Sequence, residues 1–562
     1  MIFRFKIKLN KFKTLLSVLI CIFLFRKESP AQPVQEWIRK YNGPANGTDI
    51  ANILLPDGKG NNIVFGSSIG AGSLNDIVII KYDPQGNTIW EQRFNGEGNS
   101  TDVAASACVD NSGNSYITGY TADTDFALKI ICMKYDSSGK PVWIRKFSLP
   151  GYSNGFGQNI VLDSNGSIYV SGFLRNTVGN YDIVLIKYSE SGNEIWFKTF
   201  NGEGNGDDFP ASLSIDLNNN ILLGGTSKSQ LNGMDMIIMK YDGSSTLIWN
   251  KTFNGSADSD DRISSLTTNR SNNVYFCGSQ INLNTSSDFY SGKLSQSGDL
   301  IWENRFNGTG NSLDIPYAMT SDLSGNIIVT GYSRNDSVIG SEDICTIKIS
   351  SAGNVVWTGI YNGSGNGTDQ GISLTTDLKG NVYVCGATDR GNVQLIYSLI
   401  KYDVNGIFQW FTGYSVVKHP EDFAYSVSAD NSGNIVVTGI SIDSVNDYDI
   451  VTIKYSQPVG INESITGIPE NYFLNQNYPN PFNPDTNLEF GIPARQGGQE
   501  MGYVTVEIYD ILGKRVTSLV NEKLYPGNYK VTFDGSRLTS GIYFCTLKTE
   551  NFTETKRLLL IK

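Results

Sequence analysis

Apolar and polar residues alternate along most of this chain in short runs, and polar turns separate the runs. Typical runs are "DIVIIKY" (76–82), "DIVLIKY" (182–188) and "NIIVTG" (326–331). Alternation with a period of two predicts β-strands, and the intervening "DNSGN" and "DPQGN" segments carry the Asp, Asn and Gly typical of tight turns. The 3.6-residue period of an amphipathic helix is absent. The pattern therefore predicts an all-β protein.

The strands recur with a fixed spacing that the tryptophans mark. Successive tryptophans are 53 residues apart six times and 55 apart once. They are Trp37, Trp90, Trp143, Trp196, Trp249, Trp302, Trp357 and Trp410. Each repeat holds four strand signals: a Trp strand, a short strand ending in Asp, a "GN..V.G" strand and a "D..IKY" strand. Four strands in about 50 residues, repeated, are typical of β-propeller blades.

The order of the strands also predicts how the ring closes. The array opens with a Trp strand and ends with an "IKY" strand, without a further Trp strand. If the Trp strand is outermost, the first strand completes the last blade. We therefore predict an eight-bladed propeller over 32–456 with 1+3 closure, in which each Trp packs against a neighbouring blade.

The repeat resembles the SBBP-type β-propeller family, whose "D..GN.YV.G" hairpin is followed by "D..v.K". The resemblance covers about 37–456 and implies the propeller fold. That family is named for seven blades, so the number eight comes from the copies in this chain.

The N-terminus has the pattern of a secretory signal peptide. Lysines and an arginine precede the twelve-residue apolar run "TLLSVLICIFLF" (14–25), and Ala31 follows at a distance suited to cleavage. Twelve residues are too few to span a bilayer, which takes about 20. We expect residues 1–31 to be removed after Sec export, leaving no transmembrane segment. Cleavage removes seven basic residues and one acidic residue, so the net charge of −11 becomes −17, which disfavours nucleic acid as a partner.

The composition changes after a linker predicted at 457–467. Residues 468–562 carry "NYPNPFNP", "YDILGK", "G.Y...FD...L.SGIY" and a terminal basic–apolar run, and they closely resemble the C-terminal sorting domain of the type IX secretion system of Bacteroidetes-like bacteria. The resemblance implies an Ig-like β-sandwich read by the translocon and sortase machinery, and a protein at the outer-membrane surface or outside the cell. The matching positions are Asn480, Pro481, Phe482, Asn483, Pro484, Gly513, Lys514, Gly541, Tyr543, Lys556 and Lys562.

Recurring acidic residues raise the question of a metal site. Segments such as "FNGEGNSTD" place an Asp twelve residues after the Trp in seven repeats, and Gly155 replaces it in the third. These residues are Asp49, Asp102, Asp208, Asp261, Asp314, Asp369 and Asp422. A residue found in nearly every blade is expected to brace a turn or a seam. A ring of calcium ligands is the alternative, although no segment has EF-hand spacing; no other cofactor is evident.

Signals for catalysis are weak. The chain has one histidine, His419, and no G-x-S-x-G motif, and its cysteines show no metal-ligand or disulfide spacing. The six cysteines after the signal peptide are expected to be buried free thiols. An enzyme is therefore the less favoured class, with an extracellular polysaccharide hydrolase or lyase as the alternative function.

Variable loops offer the best candidates for binding. The connections between the "GN..V.G" and "D..IKY" strands differ from blade to blade, and variable loops on a rigid scaffold usually carry specificity. We predict that this face binds an extracellular glycan or protein. The candidate contact residues are Tyr120, Phe126, Phe173, Arg175, Tyr332, Arg334 and Arg390.

Overall fold

The computed structural model describes residues 32–562 except 231–232, 284, 335–339, 392–393, 417–420, 431–432, 443–446, 458–461, 465–468, 470, 494–501, 525 and 537. The predicted signal peptide and His419 lie outside these residues. The chain divides into two compact units, one of residues 33–457 and one that contains residues 458–562.

The first unit consists of eight four-stranded antiparallel sheets. Their innermost strands are β2 (Asp49–Pro56), β6 (Asp102–Val109), β10 (Tyr152–Leu162), β14 (Asp208–Ile215), β18 (Arg262–Thr268), β22 (Asp314–Ser321), β26 (Gln370–Thr376) and β30 (Phe423–Ala429). The second strands are β3 (Asn62–Ile69), β7 (Ser115–Ala122), β11 (Ile168–Asn176), β15 (Ile221–Lys228), β19 (Val274–Ile281), β23 (Ile327–Arg334), β27 (Val382–Asp389) and β31 (Ile435–Ile442).

The outer half of each sheet contains the "IKY" strand and the Trp strand. The third strands are β4 (Asn75–Tyr82), β8 (Leu128–Tyr135), β12 (Tyr181–Tyr188), β16 (Met234–Tyr241), β20 (Ser287–Leu294), β24 (Glu342–Ile349), β28 (Leu395–Tyr402) and β32 (Tyr448–Ser456). The outermost strands are β5 (Thr88–Phe94), β9 (Pro141–Phe147), β13 (Glu194–Phe200), β17 (Leu247–Phe253), β21 (Leu300–Phe306), β25 (Val355–Tyr361), β29 (Phe408–Tyr414) and β1 (Val34–Tyr41). We number the blades 1 to 8 in chain order, starting from β2–β5.

The sheets close into a ring as predicted. β1 pairs with β32, so blade 8 has the order β30-β31-β32-β1 and joins the two ends of the repeat array. Neighbouring inner strands contact one another all the way round, including β30 with β2. The prediction of an eight-bladed propeller with 1+3 closure is confirmed.

Apolar cores fill the seams between blades. The seam between blades 1 and 2, for example, buries Phe65 and Ile79 from one blade against Ile117 and Met133 from the next. The closing seam buries Trp37 of blade 8 against Val64 and Val78 of blade 1 in the same way. Strands buried on both faces explain the continuous apolar runs of the "IKY" segments.

Every inner strand contains a β-bulge two to four residues beyond the position of the recurring Asp. In blade 2 the pairing shifts between Ala104 and Ser106, which brings the carbonyl of Val103 towards the second strand. Gly119 faces this carbonyl, and a Cβ built on Gly119 would lie 1.8 Å from the Val103 oxygen. The glycine of each "V.G" strand therefore accommodates the bulge of its neighbour.

Replacing Gly119 with alanine should destabilise the propeller by about 3 kcal/mol, because the inner strand must move to admit the methyl group. Urea unfolding followed by tryptophan fluorescence measures this change, since all eight tryptophans lie in the propeller. Gly243→Ala is the matched control, because the nearest atoms to its new Cβ would be 3.8 Å away. Equal unfolding midpoints for the two variants would contradict the role of Gly119.

The second unit is a sandwich of two four-stranded sheets, consistent with an Ig-like domain. One sheet has the order β33 (Asn462–Ser464), β38 (Gly527–Asp534), β35 (Asp485–Ile492) and β34 (Phe473–Leu474). The other has the order β37 (Arg515–Leu524), β36 (Gly502–Asp510), β39 (Gly541–Thr549) and β40 (Thr553–Leu560). Their facing side chains, among them Phe490, Val506 and Cys545, form one buried core. The segment 457–467 predicted as a linker contains β33. The three residues of β33 pair with β38, so this part of the segment belongs to the sandwich.

The six cysteines of the described chain are free thiols in strands, as expected. Five are buried and Cys108 is partly buried. Among the described residues no helix has the length and apolarity needed to cross a membrane.

Candidate functional site

Residues that recur in the repeat join each blade to the next. The indole Nε1 of Trp90 donates a hydrogen bond to the carbonyl of Ser137 in the following blade, at 3.2 Å. Lys81 Nζ donates to the same carbonyl at 3.3 Å and forms a buried ion pair with Asp57 at 2.9 Å. Because the same arrangement returns from blade to blade, these residues belong to the scaffold.

The recurring Asp at the start of the inner strand is also a scaffold residue. Asp102 Oδ2 accepts a hydrogen bond from the Gly96 N–H at 2.6 Å, and Oδ1 accepts one from the Thr121 hydroxyl at 2.5 Å. The carboxylate therefore ties the "FNGEGN" loop to the second strand of the blade. All seven of these aspartates are fully buried.

For four of the seven aspartates this geometry does not fit a calcium site, whereas Asp49, Asp314 and Asp422 each have one buried oxygen without a hydrogen-bond partner among the described residues. Asp102, Asp208, Asp261 and Asp369 use both carboxylate oxygens to accept hydrogen bonds from the protein. An oxygen facing an N–H or O–H donor is not presented to a cation. Within the described ranges, no three His, Cys, Asp or Glu side chains are grouped so as to hold a metal ion.

Burial changes the acidity of these carboxyl groups. Removal from water raises the pKa of Asp369 to about 7, and the nearby Asp343 and Asp389 act in the same direction. Hydrogen bonds from the N–H groups of Gly363 and Asp389 oppose the shift. Burial likewise raises the pKa of Asp102 and Asp208 above the usual value.

Blade 3 departs from the repeat. Gly155 stands where the other blades carry the recurring Asp, and Lys129 of blade 2 stands where most third strands carry an Asp. The inner strand β10 begins early, at Tyr152, and has a second irregularity between Tyr152 and Gly155. The seam between blades 2 and 3 therefore lacks both carboxylates, and other side chains occupy the surrounding space.

Five aromatic rings converge beside this seam and form what we call the aromatic patch. The patch consists of Tyr120 in blade 2, Phe156, Phe173 and Tyr181 in blade 3, and Phe209 in blade 4. Phe156 stacks on Phe173 with ring centroids 4.9 Å apart, and Tyr120 meets the edge of Phe156 at 5.0 Å. Tyr181 and Phe209 lie 5.2 Å and 5.1 Å from Phe173. All five rings are partly exposed.

Arg175 adds a cation beside the patch. It pairs with Tyr181 across β11 and β12 and is exposed to solvent. It also lines a shallow groove of about 490 Å³ together with Tyr152, Ser153 and Val178. A row of aromatic rings with an arginine at its edge is typical of binding surfaces, where such side chains contribute most of the affinity.

The structure brings only part of the predicted contact set together. Tyr120, Phe173 and Arg175 lie in or beside the patch. Phe126 lies on the neighbouring loop of blade 2 and is 72% exposed. Tyr332 and Arg334 belong to blade 6, where Tyr332 contacts Tyr317 and Arg334 forms an ion pair with Glu342. Arg390 is exposed on blade 7.

The variable loops are short because the flanking strands extend into them. The pairing of β7 with β8 continues to Ala122 and Leu128, which leaves only residues 123–127 as the loop. Tyr120, Phe173, Arg175, Tyr332 and Arg334 consequently lie in strands. Phe156, Tyr181 and Phe209 were not among the predicted contact residues. Phe156 and Phe209 both occupy the position after the recurring Asp, but so does Phe423 in blade 8, so this signal alone does not show which rings meet.

In the second unit, the "NPFNP" segment is fastened to the C-terminal strand. Asn480 accepts a hydrogen bond from the Leu559 N–H at 2.9 Å, and the Phe482 N–H donates to the Leu559 carbonyl at 2.9 Å. The Phe482 ring is buried against Phe533, and the Pro484 carbonyl accepts a hydrogen bond from the Gly535 N–H. Pro481 and Asn483 are exposed at the surface beside them.

The other motif positions lie at turns and at the ends of strands. Gly513 and Lys514 close the turn between β36 and β37, and Tyr543, two residues after Gly541, donates a hydrogen bond to the Thr539 carbonyl at 2.9 Å. Lys556 pairs with Glu554 at 2.7 Å, and the Lys562 N–H donates to Ser540. Their individual roles in sorting stay predictions.

Comparison with known proteins identifies the class of the second unit. Residues 476–562 match the family model described as "Secretion system C-terminal sorting domain". The chain therefore carries a type IX sorting domain, which directs export to the cell surface or the extracellular space.

Relatives of the propeller are distant. An uncharacterized WD repeat-containing protein of Acanthamoeba polyphaga mimivirus is 24% identical over 488 residues, covering 70% of this chain and 33% of its own length. The chain thus spans about a third of that relative. Among solved structures, Drosophila Plexin A in complex with Semaphorin 1b has a TM-score of 0.35 at 8% identity, covering 63% of this chain and 87% of that chain. A Hadza microbial sialidase has a TM-score of 0.30 at 10% identity, covering 59% and 73%. The fold assignment rests on the sheets of the protein itself.

Proposed function

We propose that this is a bacterial surface or secreted protein whose propeller, of the SBBP type, binds an extracellular glycan or protein. Residues 1–31 would direct Sec export to the periplasm, and the sorting domain would engage the type IX translocon and its sortase. The aromatic patch is the observation that supports binding, because it occupies the place where the repeat is broken.

The contrast between blades supports this assignment. Residues that recur in most blades are buried and hold neighbouring loops and strands together. The patch, in contrast, is confined to blades 2–4 and remains partly exposed. Aromatic side chains offer large apolar faces at low entropic cost and suit either sugar rings or a protein surface. The hydrolase or lyase alternative would need a pair of catalytic carboxylates. Two carboxylates beside the patch, those of Asp182 and Asp208, are buried and accept hydrogen bonds from neighbouring protein groups, which favours a structural role for them.

Replacing Phe173 with serine should weaken ligand binding at least about tenfold, because it removes the ring at the centre of the patch. Serine occupies the equivalent position in blade 1 (Ser67), so the fold should tolerate it. The measurement is binding of residues 32–562 to a glycan panel, followed by titration of the hits.

Tyr332→Ser is the matched control, since Tyr332 occupies the same position in blade 6. Loss of binding in this variant but not in Phe173→Ser would place the site on blade 6 and refute the patch. Conversion of a glycan into product would overturn the binding-module proposal in favour of the hydrolase or lyase.

A further inference from the structure

The turn between β36 and β37 of the sorting domain exposes two adjacent apolar side chains. Ile511 is 72% exposed and Leu512 is 90% exposed. Leu512 has the highest exposure of the large apolar side chains in the described part of the chain. Lys514 and Arg515 follow after Gly513 and are also exposed.

The geometry of this turn does not require apolar residues. Asp510 Oδ1 accepts hydrogen bonds from the N–H groups of Leu512 and Lys514, each at 2.9 Å, and Gly513 takes a φ of 81°. The segment Asp136–Lys140 of the propeller, "DSSGK", forms the same turn. Asp136 Oδ1 accepts from Ser138 and Lys140 at 2.9 and 3.0 Å, and Gly139 takes a φ of 85°.

We call the two residues after the first Asp, Asn or Ser of such a turn its first and second tip positions. A single exposed leucine at the first tip position is ordinary in this protein, as Leu217, Leu323 and Leu378 show. The second tip position is different. In the turns of this kind that the structure describes in the propeller it is polar, apart from Ala352 and Val178. Val178 belongs to the turn 176–180, where Asn176 accepts hydrogen bonds from the N–H groups of Val178 and Asn180. Among the described turns of this kind, only the one at 510–514 combines two large apolar residues at its tip.

The surroundings of the two turns also differ. A Cβ built on Gly139 would collide with the Trp90 ring at 2.6 Å, because the blade before it covers that turn. A Cβ built on Gly513 would meet no atom of the described structure within 4 Å. The apolar tip is therefore uncovered in the sorting domain.

We propose that the Ile511–Leu512 tip is a docking element that inserts into an apolar pocket with an acidic rim on the outer-membrane secretion machinery. The proposal rests on the match of residues 476–562 to a sorting domain, whose partner is that machinery. Burial in an apolar pocket would remove both side chains from water, and Lys514 and Arg515 would face carboxylates at its edge.

The test is export of the full chain carrying Ile511→Ser and Leu512→Ser together, which reproduces the tip of the "DSSGK" turn. We expect surface and medium levels to fall at least about tenfold, as for loss of a docking hot spot, with folded protein accumulating in the periplasm. Leu323→Ser, an exposed leucine on a propeller turn, is the matched control and should be exported normally. Ile511→Val with Leu512→Ile should also be exported, which excludes a general sensitivity of the turn.

Wild-type export of the double serine variant would overturn the proposal. Thermal unfolding of the purified double variant checks that it folds. If its sorting domain is destabilised, Lys514→Glu serves as the test instead, because it should reduce export without altering the apolar tip. If the serine variant loses self-association in solution but is exported normally, the tip binds a second copy and the proposal is wrong. If a chain lacking residues 468–562 is also exported, the sorting function of the second unit is refuted. This outcome is distinct from one in which only the role of the Ile511–Leu512 tip is refuted.

Discussion

A chain that ends at residue 467 is expected to remain in the periplasm instead of reaching the surface or the medium. The sorting domain is a separate compact unit with its own core, so its removal leaves the propeller core intact. Cell fractionation with immunodetection of the propeller measures the outcome. Nearly all of the protein should move from the surface and medium fractions to the periplasm.

Two controls define this result. The truncated protein must retain the tryptophan fluorescence of the full chain, because every tryptophan lies in the propeller. In the reciprocal experiment, residues 468–562 fused to an unrelated periplasmic protein should carry it out of the cell. Normal release of the truncated chain would show that the C-terminal unit is not the export signal.

The stability of the propeller should depend on pH through the seven buried aspartates that recur at the start of the inner strands. Asp369 should give the largest single contribution. The folded-state pKa of Asp369 is about 7 against an ordinary value of 3.8. The folded state therefore holds a proton more tightly than the unfolded state, and the stabilisation is fully present below about pH 4 and is lost as the pH rises through 7. Between these limits wild type should lose on the order of 4 kcal/mol more than Asp369→Asn, whose side chain does not titrate.

Urea unfolding of the mature chain at a series of pH values, followed by tryptophan fluorescence, measures the propeller alone. Asp216→Asn supplies a control of opposite sign. Asp216 is buried, which by itself raises its pKa, but hydrogen bonds from Asn220 and Lys240 hold the pKa below its usual value. Its stabilising contribution is therefore present above the unfolded pKa and is lost as the pH falls. Parallel pH profiles for wild type and Asp369→Asn would refute the shifted pKa of Asp369.

The fold of the propeller could be predicted almost completely from local pattern. The 53-residue tryptophan period, the four strand signals and the single Trp strand at the start of the array were enough to predict eight blades and the pairing of β1 with β32. Each signal depends on contacts that every blade repeats, so eight copies of the same information reinforce one another. Strand ends were less predictable: Tyr120 and Arg334 lie in strands because cross-strand pairing continues into sequence that reads as loop.

The candidate site was only partly predictable. Tyr120, Phe173 and Arg175 were selected as variable residues near loops, but so were Tyr332 and Arg390, which lie on other blades. Phe156 and Phe209 come from inner strands. Phe156 is the cross-strand partner of Phe173 within blade 3, whereas Phe209 meets Phe173 only because blade 4 packs beside blade 3. Such contacts join residues far apart in the chain, and no local pattern encodes them.

By itself, the sequence determined the repeat, the all-β class, the ring closure and the sorting domain, because each depends on periodic or contiguous residues. The tertiary structure alone decided what the recurring carboxylates do. Each of the seven is fully buried, and four of them use both oxygens to accept hydrogen bonds from backbone N–H or hydroxyl groups, as Asp102 does from Gly96 and Thr121. The structure therefore gives these carboxylates a role in holding loops and strands together. It also decided which aromatic rings form one surface, since Tyr120 meets Phe156, and Phe209 meets Phe173, only when blades 2, 3 and 4 pack against one another.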